Sequence, residues 1–238
     1  MDGVSAGPLI VALDQERPDE ARRCMAELGD SVRRYKIGSV LFTRTGPALV
    51  RELTGRGLGF FLDLKFHDTP ATVARAVAAA VELGVELLSL HAAGGSAMIR
   101  EARRVIEEAR VDTRLLAVTL LTSLGPEDYA QITGEGARAL PEAVIALARL
   151  AVDAGAHGCV ASVGEVAALR AELGPEPLLV VPGIRPGWST ADHSGQVRTG
   201  SPAEALRAGA TDLVIGRAVT AAEDPAAAVR RIRAEIAA

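Results

Sequence analysis

Eight short apolar runs alternate with eight longer amphipathic segments along this 238-residue chain, which predicts an α/β protein, a (β/α)8 TIM barrel in a single domain spanning residues 1–238. The runs are rich in β-formers, while the segments between them are rich in alanine and leucine and have helical periodicity. Most runs are apolar at successive positions, as strands covered on both faces should be. Eight such pairs fill a chain close to the ~250 residues of a typical barrel. A doubly wound open sheet shares the alternation and is the competing architecture.

The strands are expected at Leu9 to Leu13, Arg34 to Ile37, Gly59 to Asp63, Leu87 to His91, Leu115 to Thr119, Gly158 to Ala161, Leu178 to Val181 and Asp212 to Ile215. The intervening helices carry their own punctuation. Thr69-Pro70, Ser201-Pro202 and Asp224-Pro225 each place a capping side chain before a proline at the first helical position, and Ser201 with Glu204 spells a capping box. Gly84, Gly155, Gly174 and Gly209 stand where helices should stop.

Composition narrows the function classes. The net charge of −4 and the 3% aromatic content remove both the basic footprint and the stacking platform of a nucleic-acid binder, so a small molecule is the expected partner. No apolar stretch is long and charge-free enough to cross a membrane. Met1 to Pro8, a short amino-terminal extension, lacks the basic and apolar regions of a secretory signal, so the cytoplasm is the expected location. Cys24 and Cys159 are too few for a disulfide framework or a cysteine-ligated zinc site and are expected as buried free thiols.

Only two of the 26 basic residues are lysines, Lys36 and Lys65, and each sits where an apolar run ends. A composition bias against lysine is the bland explanation, but under such a bias the surviving lysines mark places where arginine fails. A compact ammonium that can give up a proton is what arginine cannot supply.

Barrels of this kind gather function at the carboxyl ends of their strands, and the unusual residues fall there. Asp14 follows the first strand, Lys36 lies in the second, Asp63 and Lys65 end the third and His91 ends the fourth; Thr122 follows the fifth, Arg185 the seventh, and Gly216-Arg217 the eighth. Asp63 and Lys65 are two residues apart on an extended segment, so their side chains should leave the same face. A carboxylate beside an ammonium favours its charged form, so Lys65 is expected to act as an acid and not as a Schiff-base nucleophile. Asp68, beyond the strand end, could fold back on Lys65 or extend to a partner subunit.

A metal site is the competing use of these carboxylates, but lysine is a poor companion for a divalent cation. His67 and His91 are expected as supporting or packing residues, and His157 and His193 as solvated side chains. The loop from Pro182 to Gly200 is long, contains the single tryptophan, Trp188, and is expected as a lid over residues 183–200 that binds phosphate. Gly216-Arg217 would complete a phosphate site with backbone N–H groups and a forked side chain.

The chain resembles the orotidine 5′-phosphate decarboxylase family over essentially its whole length. The resemblance rests on Val11-Ala12-Leu13-Asp14, Tyr35-Lys36-Ile37-Gly38, Phe61-Leu62-Asp63-Leu64-Lys65-Phe66-His67-Asp68, Leu121-Thr122-Ser123, Pro182-Gly183-Ile184-Arg185-Pro186 and Val214-Ile215-Gly216-Arg217. Asp-x-Lys-x-x-Asp alone is shared with related sugar-phosphate barrels, whereas the six stretches in order are specific. Thr69, where isoleucine is common, and Gly195, where many bacterial members have aspartate, depart from the pattern.

The resemblance implies removal of the carboxylate of orotidine 5′-monophosphate to give uridine 5′-monophosphate, with no metal and no organic cofactor. It implies Lys65 as proton donor and Asp63 beside the departing carboxylate. Asp14 and Lys36 would contact the ribose hydroxyls, with Lys36 also joining the catalytic charge network, and Thr122 the pyrimidine, while Arg185, Gln196, Gly216 and Arg217 hold phosphate and close the lid. It further implies a homodimer in which Asp68 and Thr72 reach the neighbouring subunit's site. The rivals are the magnesium-dependent hexulose-phosphate synthases and decarboxylases of similar barrel, and a nucleotide-binding protein without catalysis.

Overall fold

The structure, a computed structural model, describes residues 7–134, 136–190 and 198–237. The chain begins with β1 (Leu9–Leu13) and α1 (Pro18–Leu28), then β2 (Arg34–Gly38) with two short helices, α2 (Ser39–Thr45) and α3 (Pro47–Thr54). Next come β3 (Gly59–Phe66), α4 (Pro70–Val81), β4 (Leu87–His91), α5 (Gly95–Ala109) and β5 (Arg114–Val118). Two helices, α6 (Pro126–Thr133) and α7 (Leu140–Asp153), precede β6 (Gly158–Val160), and α8 (Val166–Leu173) precedes β7 (Leu178–Val181). The last units are α9 (Pro202–Arg207), β8 (Asp212–Ile215), α10 (Arg217–Thr220) and α11 (Pro225–Ala237).

All eight strands are parallel and the sheet closes, with Leu9 of β1 paired to Leu213 of β8. That pairing decides for the barrel over the open sheet. Ile10, Ala12, Phe61, Leu87, Leu116, Val118, Val160, Val180 and Val214 point inward and plug the barrel, while the alternate strand residues pack against the helices. The interior is a core, not a channel.

The plug has a charged layer at each end. Below it Arg34 is buried between Asp212 and Glu86. Above it the same inward rows continue from Ala12 to Asp14, from Arg34 to Lys36 and from Phe61 to Asp63, so strand periodicity delivers these side chains to one place.

Helix punctuation is largely as expected. Ser201 Oγ accepts the Glu204 N–H while Glu204 Oε2 accepts the Ser201 N–H, and Asp224 Oδ1 accepts the Ala227 N–H at 2.8 Å. Thr69 is an exception: its hydroxyl donates to Thr72 Oγ1 at 3.0 Å, and no side-chain cap forms on α4. Cys24 and Cys159 are buried free thiols.

His157 corrects the expectation of a solvated side chain. It precedes β6 directly, which tucks the ring under the edge of β5, where Nδ1 accepts the Leu115 N–H at 2.8 Å and Arg103 lies against it. Burial, then the neighbouring Arg103 and Arg114, push its pKa down to about 4, so the ring is neutral at pH 7. His193 lies outside the described residues.

Candidate active site

Above the barrel plug opens a cavity of about 680 Å³. Asp14, Lys36, Asp63 and Lys65 are among the residues that line it, together with Thr122, Arg185, Gly216 and Arg217. Eight of the residues singled out from sequence, drawn from six strand ends, therefore share one opening. Gln196 lies outside the described residues, as does much of the expected lid. Trp188, at the described root of that loop, packs on the core with Arg231 of α11 over its ring at 4.5 Å.

Asp14, Lys36, Asp63 and Lys65 form a chain of alternating sign. Lys36 Nζ donates to Asp14 Oδ1 at 2.8 Å and lies 3.9 Å from Asp63 Oδ2, and Lys65 Nζ donates to that same oxygen at 2.7 Å. Burial works against ionisation of Asp63, but the ammonium groups of Lys36 and Lys65 and hydrogen bonds from Lys65 and Ser89 outweigh it, holding the carboxyl below its ordinary range. A Cβ at Gly38 would lie 3.1 Å from Lys36 Nζ and 3.6 Å from Asp14 Oδ1, so the glycine leaves room for that pair.

Asp63 and Lys65 meet as expected, though not by ordinary strand alternation. β3 pairs Leu62 with Leu88 and then Phe66 with Leu90, four steps against two, so two extra residues bulge from β3. Lys65 occupies the bulge with φ of 51°, a left-handed backbone that side-chain-bearing residues rarely adopt. β3 consequently runs three residues past the expected Asp63.

Ser89, which sequence reasoning missed, holds the bulge. Its Oγ accepts the Lys65 backbone N–H at 2.9 Å and donates to Asp63 Oδ1 at 2.8 Å, leaving Oδ2 to the lysines. The one signal the sequence holds for it is that it is the only polar residue in Leu87-Leu88-Ser89-Leu90, on the inward row of β4.

Asp68 and Thr72 stand apart from the cavity of their own chain. Asp68 is exposed and its Oδ1 accepts the Thr69 N–H at 2.6 Å; among the described residues no ion pair reaches it, and it does not fold back on Lys65. His67 and His91 stack with ring centroids 5.4 Å apart, outside the cavity lining. Among the described residues no group of three or more His, Cys, Asp or Glu side chains is placed to hold a metal ion. Nor is any described helix long and apolar enough to cross a membrane.

Fold and site together define a (β/α)8-barrel enzyme with a lysine–carboxylate centre at the carboxyl ends of its strands. Residues 7–232 match the family described as orotidine 5′-phosphate decarboxylase / HUMPS, and the chain belongs to that family. It is 49% identical to the orotidine 5′-phosphate decarboxylase of Chromohalobacter salexigens, over 97% of this chain and 96% of the relative. The corresponding protein of Nitrosococcus oceani is 46% identical, with 96% and 97% covered. Among solved structures, orotidine 5′-phosphate decarboxylase from Lactobacillus acidophilus superposes with a TM-score of 0.84 at 35% identity, covering 98% of this chain and all of the other.

Proposed function

We propose that this protein decarboxylates orotidine 5′-monophosphate to uridine 5′-monophosphate in pyrimidine biosynthesis, without a cofactor, with Lys65 as the proton donor. The observation that carries the mechanism is Lys65 Nζ, held 2.7 Å from a buried carboxylate that burial alone would not keep charged. Family membership and full-length similarity to orotidine 5′-phosphate decarboxylases support the substrate.

The chemistry requires a cation at one point. When the bond between pyrimidine C6 and the carboxylate breaks, carbon dioxide departs and the electron pair stays in an in-plane orbital at C6 that the ring π system cannot absorb. An ammonium already in place stabilises that charge without reorganisation. Transfer of a proton from Lys65 Nζ to C6 completes uridine 5′-monophosphate and leaves a neutral amine for solvent to reprotonate. Asp63, on the same ammonium, sets its direction and lies beside the leaving carboxylate. Asp14 and Lys36 bind the ribose hydroxyls, Thr122 the pyrimidine, and Arg185 with Gly216 and Arg217 the phosphate.

The magnesium-dependent sugar-phosphate reading is less well served, because Lys36 and Lys65 both lie within 4.0 Å of the carboxylate that a divalent cation would need. The test follows the ultraviolet absorbance of orotidine 5′-monophosphate with purified protein and EDTA. Turnover by wild type and none above background by Lys65→Ala is the expected result. A flat trace from folded wild type under these conditions overturns the reading.

We also propose a homodimer with shared sites. Support comes from the exposure of Asp68 and the position of Thr72, both outside the cavity of the chain that carries them.

A further inference from the structure

A half-hidden ion pair lies outside the cavity and plays no part in the chemistry above. Arg198 pairs with Glu165, and their side chains are only 18% and 11% exposed. The pair joins three loops. Arg198 belongs to the returning stem of the loop between β7 and α9, and Glu165 to the turn between β6 and α8. The third loop follows β5: Arg198 Nη2 donates to the Leu121 carbonyl at 3.0 Å, and the Arg198 N–H donates to the Thr122 carbonyl at 3.4 Å.

Each end of this arrangement is fixed independently. Glu165 Oε2 accepts the Ser162 N–H at 2.8 Å, so the carboxylate is anchored to its own turn. Gly200 packs so closely on that turn that a Cβ there would stand 2.7 Å from Val163 Cγ1. Gly200 also accepts the Arg185 N–H at 2.8 Å, and Ile184 forms a parallel bridge with it. Arg198 therefore sits two residues from the anchor of Arg185 and directly on the backbone of Thr122, two cavity-lining residues on different loops.

We propose that Arg198, through Glu165, is a positioning residue that sets the separation between the Arg185 stem and the Thr122 loop, and thereby the fit of a phosphorylated nucleotide. The inference deepens the proposed decarboxylation and rests on it for the ligand. Arginine suits the task because its planar fork sends one nitrogen to a carboxylate and another to a carbonyl, which a lysine ammonium cannot do in the same geometry. Removing either partner leaves a charge uncompensated in a site mostly closed to water.

The test compares wild type, Arg198→Ala, Arg198→Lys, Glu165→Gln and the double variant Arg198→Ala/Glu165→Ala, using KM and kcat for orotidine 5′-monophosphate, Kd for uridine 5′-monophosphate and thermal melting. Expected is a rise of roughly tenfold in KM and Kd for Arg198→Ala, with a much smaller change in kcat, because misplaced binding groups weaken the grip on substrate and product alike. Arg198→Lys and Glu165→Gln should shift in the same direction, and the double variant should be no worse than Arg198→Ala, since both changes break one interaction.

If the variants melt lower but keep KM and Kd within twofold of wild type, the pair only supports the fold and the proposal is overturned. Should Arg198→Ala fail to fold, Arg198→Lys and Glu165→Gln carry the same two outcomes. Wild type that binds uridine 5′-monophosphate but does not turn over its carboxylated precursor removes the decarboxylase reading instead, while the Kd series still decides the role of Arg198.

Discussion

Ser89 shows how one hydroxyl can organise a charged centre. Its donated hydrogen bond commits Asp63 Oδ1, so the other oxygen is left for Lys65, and its accepted bond ties down the Lys65 backbone. In Ser89→Ala both bonds are lost, at about 1 kcal/mol each by the usual net worth of such bonds. The larger consequence is for position, and kcat/KM should fall on the order of tenfold to a hundredfold with the fold retained. The pH profile carries a second signature. Asp63 titrates below its ordinary range, and Ser89 is one of the donors that favours its ionised form. Deleting that donor raises the Asp63 pKa, so the acid limb of kcat/KM should move to higher pH. An acid limb in the same place as wild type would show that Ser89 does not tune Asp63. The charged residues themselves were legible in the sequence, because a chain with 24 arginines makes two lysines conspicuous. Ser89 was not, because serine in a strand has many uses and only the register of β4 against the β3 bulge gives this one its role.

At the level of elements, β1, β4, β7 and β8 begin and end at the residues expected of them. β1 lies between Pro8 and Asp14 and β7 between Pro177 and Pro182, residues that do not continue a buried strand, so local sequence suffices there. β3 differs because its extension depends on what it pairs with. Past Asp63 the chain bulges, and Lys65 takes a left-handed backbone that no local pattern in Asp63-Leu64-Lys65-Phe66 demands. Holding a residue that bears a Cβ there costs on the order of 1 kcal/mol. The strain is retained because it turns the ammonium onto Asp63. A comparison of two inactive variants tests this. In an ordinary strand, glycine is less stable than alanine, but at φ of 51° glycine relieves the strain. Lys65→Gly should therefore resist urea unfolding better than Lys65→Ala, by roughly 0.5–1 kcal/mol. The reverse order would mean that β3 is not strained at Lys65.

Across the whole molecule, both ends of the barrel carry buried charge, but they do different work. At the amino end Arg34 is closed between Asp212 and Glu86, a paired set around the base of the plug that reads as stability. At the carboxyl end the charges face a cavity. Composition could not separate the two ends, whereas position along each strand could, which is why the site was legible once the eight strands were. Asp68 and Thr72 are the part that a single chain leaves unexplained: both were expected at a site, and neither lines the cavity of its own chain. In the proposed dimer each serves the partner's cavity, which makes a quantitative demand. Lys65→Ala and Asp68→Ala homodimers should each be close to inactive. In a mixed dimer, one cavity joins an intact Lys65 to an intact Asp68 from the other chain, and the second cavity lacks both. Random exchange makes half of the dimers mixed, so equal mixing should restore about a quarter of wild-type specific activity, provided the two subunits are related by twofold symmetry. Differently tagged chains verify the exchange. Full exchange with no recovered activity would place Asp68 outside any shared site.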